Sequence, residues 1–225
     1  MLAGYLMRKL LIFVALMGLS AAASAGESAE PIVPVKPAPV VKAERVNPAL
    51  HGPNEFALWA AGTTNSPHVI ALSNDRRVSM LGLRYGRRLF QTKPLAMTWT
   101  VDLDPVVLVS QPRNIKGANT GGREWIYGAA LSPFGVRFDL MPRRRLQPFV
   151  NASGGMVIFT RPAPYSDATK RNYMFEAGFG LRFFERHGRA FTIGWKLNHI
   201  SNNYRVPDNP GIDSAMLYTG ISFFK

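Results

Sequence analysis

In the C-terminal stretch "WKLNHISNNYRVPDNPGIDSAMLYTGISFFK", residues 195–225, His199 and Ser201 stand two positions apart. Asp213 follows beyond a segment rich in Asn and Pro. A neutral imidazole can take the proton of a hydroxyl while a carboxylate holds its tautomer and stabilises the imidazolium, the chemistry of an esterase triad. The same three side chains are also ordinary polar groups at the rim of a strand. Other site chemistries fare worse. The chain has no cysteine, which excludes a disulfide framework, a thiolate metal site and a Cys nucleophile. Its four histidines, His51, His68, His187 and His199, lack metal-ligand spacing, so no metal is expected.

The elements that position these groups begin with an export signal. Arg8 and Lys9 precede an apolar run from Leu10 to Leu19, and Ala23-Ser24-Ala25 offers a cleavage site. A start at Met7 would make this signal more compact. Loss of residues 1–25 removes Arg8 and Lys9 and lowers the net charge from +13 to +11. An exported chain this basic suits an anionic membrane surface rather than nucleic acid. Residues 26–52 carry Pro31, Pro34, Pro37, Pro39 and Pro48 and read as an extended polyproline periplasmic linker.

Residues 53–225 have a different texture. Eight segments rich in aromatic, β-branched and Gly residues lie near 55–62, 77–90, 96–109, 124–140, 146–159, 172–184, 190–201 and 214–224. Many short strands at even spacing predict a sandwich or a barrel. The connections separate the two. "QTKPL", "MPRRR" and "ERHGR" are short, whereas the segments after the first, third, fifth and seventh strands are long. Short periplasmic turns alternating with long outer loops predict an all-β, eight-stranded antiparallel transmembrane β-barrel in the bacterial outer membrane. Trp59, Trp99, Trp125, Tyr127 and Trp195 are expected in its interfacial girdles.

Strand alternation then orients the polar trio. Phe191, Ile193, Trp195 and Leu197 form an apolar row, and Thr192, Gly194, Lys196 and Asn198 a small and polar one. In a barrel with a polar lumen the apolar row faces lipid, and His199 and Ser201 continue it. Ala215, Leu217, Thr219, Ile221 and Phe223 make the matching face of the last strand, and Asp213 shares their parity. Residues i and i+2 on one face lie about 7 Å apart at Cα, close enough for Ser Oγ to meet the ring. With the N-terminus periplasmic, all three are expected at the outer-leaflet rim.

The residues His199-x-Ser201-Asn202 and Asn209-x-Gly211-Ile212-Asp213 resemble the signature of the outer-membrane lipid A 3-O-deacylases, the PagL family. The likeness is concentrated in roughly the last thirty residues of the chain. It implies an eight-stranded barrel that cleaves the ester-linked acyl chain at position 3 of lipid A without a cofactor. Carried over by position, it makes Ser201 the nucleophile, His199 the base and Asp213 the acid, where family members commonly carry Glu. Asn209 would help stabilise the oxyanion, with a backbone N–H near Tyr204, a Gly position in relatives, as second donor and Asn202 as a loop support. The implied partners are lipopolysaccharide and outer-membrane lipids. Arg113, Lys116, Arg123, Lys170, Arg171 and Arg205 lie on long loops where lipid A phosphates would be. Two alternatives stand beside this reading: a non-catalytic structural or adhesive barrel, and a phospholipase on the same scaffold.

Overall fold

A computed structural model describes residues 52–73, 75–115, 118–165, 168–185, 188–204 and 210–225. The expected signal peptide and nearly all of the linker lie outside the described residues. Eight strands follow one another without a described helix: β1 (Asn54–Asn65), β2 (Arg77–Gln91), β3 (Leu95–Ile115), β4 (Ala118–Leu140), β5 (Leu146–Phe159), β6 (Arg171–Phe184), β7 (Arg189–Ser201) and β8 (Ile212–Phe224). Each pairs antiparallel with the next, and β1 pairs with β8 to close the barrel. Closure leaves no free strand edge, which is what lets a sheet cross lipid.

Period-two alternation sorts the side chains. Along β7, Phe191, Ile193 and Trp195 are exposed while Lys196 and Asn198 are buried. Eight strands enclose an interior just wide enough for side chains to fill, and here an apolar cluster that includes Val78, Val107, Val109, Ile126 and Met216 is joined by ion pairs. Arg84 clamps Asp102 through Nε at 2.7 Å and Nη2 at 3.0 Å. Lys196 Nζ lies 2.7 Å from Glu176 Oε1, and Asn198 Nδ2 donates to the same oxygen at 2.9 Å. Toward the short-connection end Arg137 bridges Glu55 and Asp139, and Arg182 joins both carboxylates. Charges this deeply buried are tolerated because each is paired and hydrogen-bonded.

Two sequence expectations need correction. Trp59 is not a girdle residue: it is 4% exposed, and its indole Nε1 donates to Asp102 Oδ1 at 3.1 Å inside the barrel. Phe56, Leu58 and Ala60 hold the outward row of β1, so parity turns Trp59 inward. Gly82 makes room for it, since a Cβ there would come within 2.4 Å of the indole. Trp99, Trp125, Tyr127 and Trp195 do face outward. The second correction concerns the segment after the third strand, expected as a long loop. There β3 and β4 stay paired out to Ile115↔Ala118, so the hairpin continues as a two-stranded ribbon. Backbone pairing at a ribbon end asks for no apolar alternation, and so leaves no mark in the side chains.

Candidate active site

The site starts from one cross-strand pair. β7 and β8 align His199 directly opposite Asp213, and β6 sets Phe175 beside His199 and Tyr173 beside Ser201. All lie on the outward rows of their strands. His199 Nδ1 stands 2.6 Å from Asp213 Oδ1. Three backbone N–H groups donate to the other carboxylate oxygen, and a carboxylate only accepts, so with Asp213 as carboxylate Nδ1 carries the proton and donates. That tautomer leaves Nε2 as the basic lone pair.

Asp213 was expected on an open lipid-facing wall. It is instead fully buried, at 0% exposure. The cover is the connection between β1 and β2. Its backbone N–H groups at Val69, Ile70 and Ala71 all donate to Asp213 Oδ2, at 2.9, 2.6 and 2.8 Å. Ser66 Oγ donates to the Asp213 carbonyl at 3.0 Å, Leu72 N to the Pro210 carbonyl at 2.6 Å, and Ser73 Oγ to the Gly211 carbonyl. The connection therefore lies as a strap along residues 210–213. Nothing in the residue types of "SPHVIALS" announces this role.

Ser201 ends β7 on the same outward row, partly exposed. Its hydroxyl makes no hydrogen bond to the imidazole among the described residues; the structure joins His199 to Asp213 and leaves Ser201 beside them. Catalytic hydrogen bonds are often long before substrate arrives. Asn202 is 2% exposed, and its Oδ1 accepts the Tyr204 N–H at 2.9 Å. Tyr204's own amide is thus engaged in a turn rather than aimed outward. Asn203 and Tyr204 adopt φ of 54° and 58°, a left-handed pair that a glycine would occupy without strain. Asn209, Arg205 and Lys116 lie outside the described residues.

Gly211 is a site residue to which the sequence reading assigned no role. Its φ is +63°, and a Cβ there would meet His199 Cε1, Ala71 Cβ and the Ile200 carbonyl, each at 3.2 Å. The chain turns tightly here so that strap, imidazole and strand can meet. Arg123, expected to be available to phosphates, is committed within the protein. It pairs with Asp75 at 2.6 Å and binds Ser110 through Nε and Nη2.

The comparisons with known proteins bear on the fold and the family. A family model described as lipid A 3-O-deacylase (PagL) matches residues 82–222, well over half of the chain. The chain belongs to the PagL family. Membership of this deacylase family places the barrel in the bacterial outer membrane and makes it a lipid A deacylase in class. Among solved structures, the outer membrane enzyme PagL superposes with a TM-score of 0.55 at 18% identity, covering 73% of this chain and 97% of that one. Neisserial surface protein A aligns with a TM-score of 0.45 at 11% identity, over 76% of this chain and 96% of that one. The N-terminal β-barrel domain of Pseudomonas aeruginosa OprF gives 0.40 at 15% identity, over 77% and 99%. No curated protein matches by sequence. At 18% identity the likeness to the PagL structure speaks to the fold; the PagL-family match speaks to the class of activity.

Proposed function

We propose that this PagL-family barrel is a cofactor-free serine esterase that removes the 3-O-linked acyl chain of lipid A at the outer leaflet. One observation carries the reading: His199 is held by Asp213 on the lipid-facing wall, one outward position from Ser201. An imidazole whose Nδ1–H is committed to a carboxylate presents Nε2 as a base, and the nearest hydroxyl on its own strand row is Ser201.

In the mechanism, Ser201 Oγ attacks the ester carbonyl while His199 Nε2 takes its proton. Asp213 stabilises the imidazolium. The tetrahedral intermediate collapses, and the proton on Nε2 passes to the departing sugar oxygen. His199 then takes a proton from water, the hydroxide attacks the acyl-enzyme, and a 3-hydroxy fatty acid leaves as Ser201 regains its proton. Asn209 serves as an oxyanion donor, with a backbone N–H near Tyr204 as second donor. Asn202 holds the turn at residues 202–204. That engagement of the Tyr204 amide assigns more of the oxyanion's charge to Asn209.

Substrate enters sideways from the bilayer. The outward groups around the trio are Tyr173, Phe175, Leu197 and Leu217, an apolar wall on which an acyl chain can lie. Lys170 and Arg171 stand exposed at the same end, suited to the anionic headgroup. Residues 1–25 direct export, and residues 26–52 tether the barrel on the periplasmic side.

The test is lipid A mass spectrometry of cells carrying the wild-type protein or Ser201→Ala. Loss of one 3-hydroxyacyl chain with wild type and an intact acyl pattern with Ser201→Ala is expected, since triad members act as a unit worth on the order of 10⁴–10⁶ in rate. Fatty acid released from phospholipid with lipid A intact would replace the proposal with a phospholipase. Full lipid A deacylation by Ser201→Ala would remove the serine mechanism.

A further inference from the structure

The strap between β1 and β2 is built differently from a loop that merely closes over a strand. Three consecutive amides, Val69, Ile70 and Ala71, converge on a single oxygen, Asp213 Oδ2, while Oδ1 faces His199. The side chains of the same segment turn the other way: Val69, Ile70 and Leu72 are 37%, 39% and 75% exposed. Ser66 and Ser73 fasten its two ends to the backbone of residues 211–213, and Asp75 just beyond is gripped by Arg123 of β4. The segment is thus held at both ends and spends its central backbone donors on one carboxylate.

We propose that the strap is a positioning element for catalysis. Its three amides fix the rotation of the Asp213 carboxylate, so that Oδ1 points at His199 Nδ1 and Nε2 is aimed along the wall toward Ser201. The physical basis is direct. A carboxylate on a short side chain at a strand rim can swing about χ1 and χ2. Three charge-assisted hydrogen bonds to one oxygen leave it a single orientation, and the imidazole bonded to the other oxygen inherits it. Because the three central donors are backbone amides, the side chains of Val69, Ile70 and Leu72 stay free to meet lipid. The inference rests on the serine-esterase reading above, and its effect belongs to the chemical step: misaiming a base by about 1 Å costs on the order of 100-fold in rate.

Ile70→Pro tests this, because proline deletes the N–H that makes the shortest of the three bonds. Ile70→Ala is the conservative partner, since it removes the side chain and keeps the N–H. Both are refolded in detergent beside wild type and Ser201→Ala. Barrel formation is checked by the heat-dependent shift in electrophoretic mobility, and kcat and KM are measured on micellar lipid A. The hydrogen-bonded Nδ1 proton of His199 is followed by its downfield NMR resonance. Expected for Ile70→Pro are a kcat lower by about 10–100-fold, an unchanged KM and a displaced His199 resonance. Ile70→Ala should recover both kcat and the resonance. Wild-type kcat in a folded Ile70→Pro, or equal losses in the two variants, overturns the proposal. Should Ile70→Pro not fold, Ser66→Ala/Ser73→Ala loosens the strap without touching the three amides. A fall in kcat at constant KM then supports the inference, and wild-type kcat overturns it. Activity in Ser201→Ala would instead sink the serine-esterase reading, whatever the strap variants do.

Discussion

At the scale of single residues, the site depends on one glycine as much as on its polar groups. Gly211 sits at φ +63° with His199 Cε1 and Ala71 Cβ each 3.2 Å from where a Cβ would be. A left-handed L-residue there costs roughly 1–2 kcal/mol, and the new methyl presses the imidazole and the strap apart. Gly211→Ala should therefore lower kcat about tenfold or more while the barrel still assembles. Gly62→Ala, at a position with nothing within 4 Å of the added carbon, should leave kcat unchanged. Rates on micellar lipid A compare the two, and equal rates would show that the crowding at Gly211 does not reach the base.

At the scale of an element, the two faces of β7 should separate two kinds of defect. Leu197 and Trp195 face outward beside Ala215 and Leu217 of β8, whereas Lys196 is buried against Glu176 and lies over the Trp59 ring at 3.7 Å. Substituting Leu217, which is 44% exposed on the wall below the site, should change the preferred acyl length. Each methylene sheltered by that wall contributes up to about 0.8 kcal/mol relative to water. Lys196→Met should do the reverse. It leaves Glu176 charged and unpaired in the lumen and destabilises the barrel by about 3–5 kcal/mol, with acyl preference unchanged. Urea unfolding and assays on lipid A of differing chain length check the two halves. A shift in acyl preference confined to Lys196→Met would mean that the faces are assigned the wrong way round.

At the scale of the whole molecule, the alternation of connections predicts the orientation. The ends of β2, β4 and β6 and the starts of β3, β5 and β7 share one end of the barrel, and the strap and the end of β7 share the other. The chain's lack of cysteine makes this simple to probe. Lys170→Cys and Tyr204→Cys should react with a membrane-impermeant maleimide on intact cells, whereas Thr92→Cys and Arg143→Cys should react only after permeabilisation. The opposite pattern would put the site at the periplasmic leaflet, away from lipopolysaccharide. The paired charges among Glu55, Arg137, Asp139 and Arg182 lie toward the short-connection end, so this ion-pair cluster and the candidate site occupy opposite ends.

Much of this was legible without coordinates because strands obey a period of two. Alternation along residues 191–201 suffices to put His199 and Ser201 on the outward row, and the spacing of turns suffices for eight strands and their sense. The same rule, applied to Phe56, Leu58 and Ala60, would have turned Trp59 inward; tryptophan's liking for interfaces hid what parity states. The extension of the β3–β4 hairpin and the strap could not be read in this way. Asp213 Oδ2 receives its hydrogen bonds from amides 142 to 144 residues away in the chain. Every residue except proline carries such an amide, so residue type does not encode which ones will converge. Side-chain pattern thus determined the faces, because burial and exposure are written in residue chemistry. Tertiary structure alone decided what holds the carboxylate, because backbone donors become specific only when the fold brings them to one oxygen.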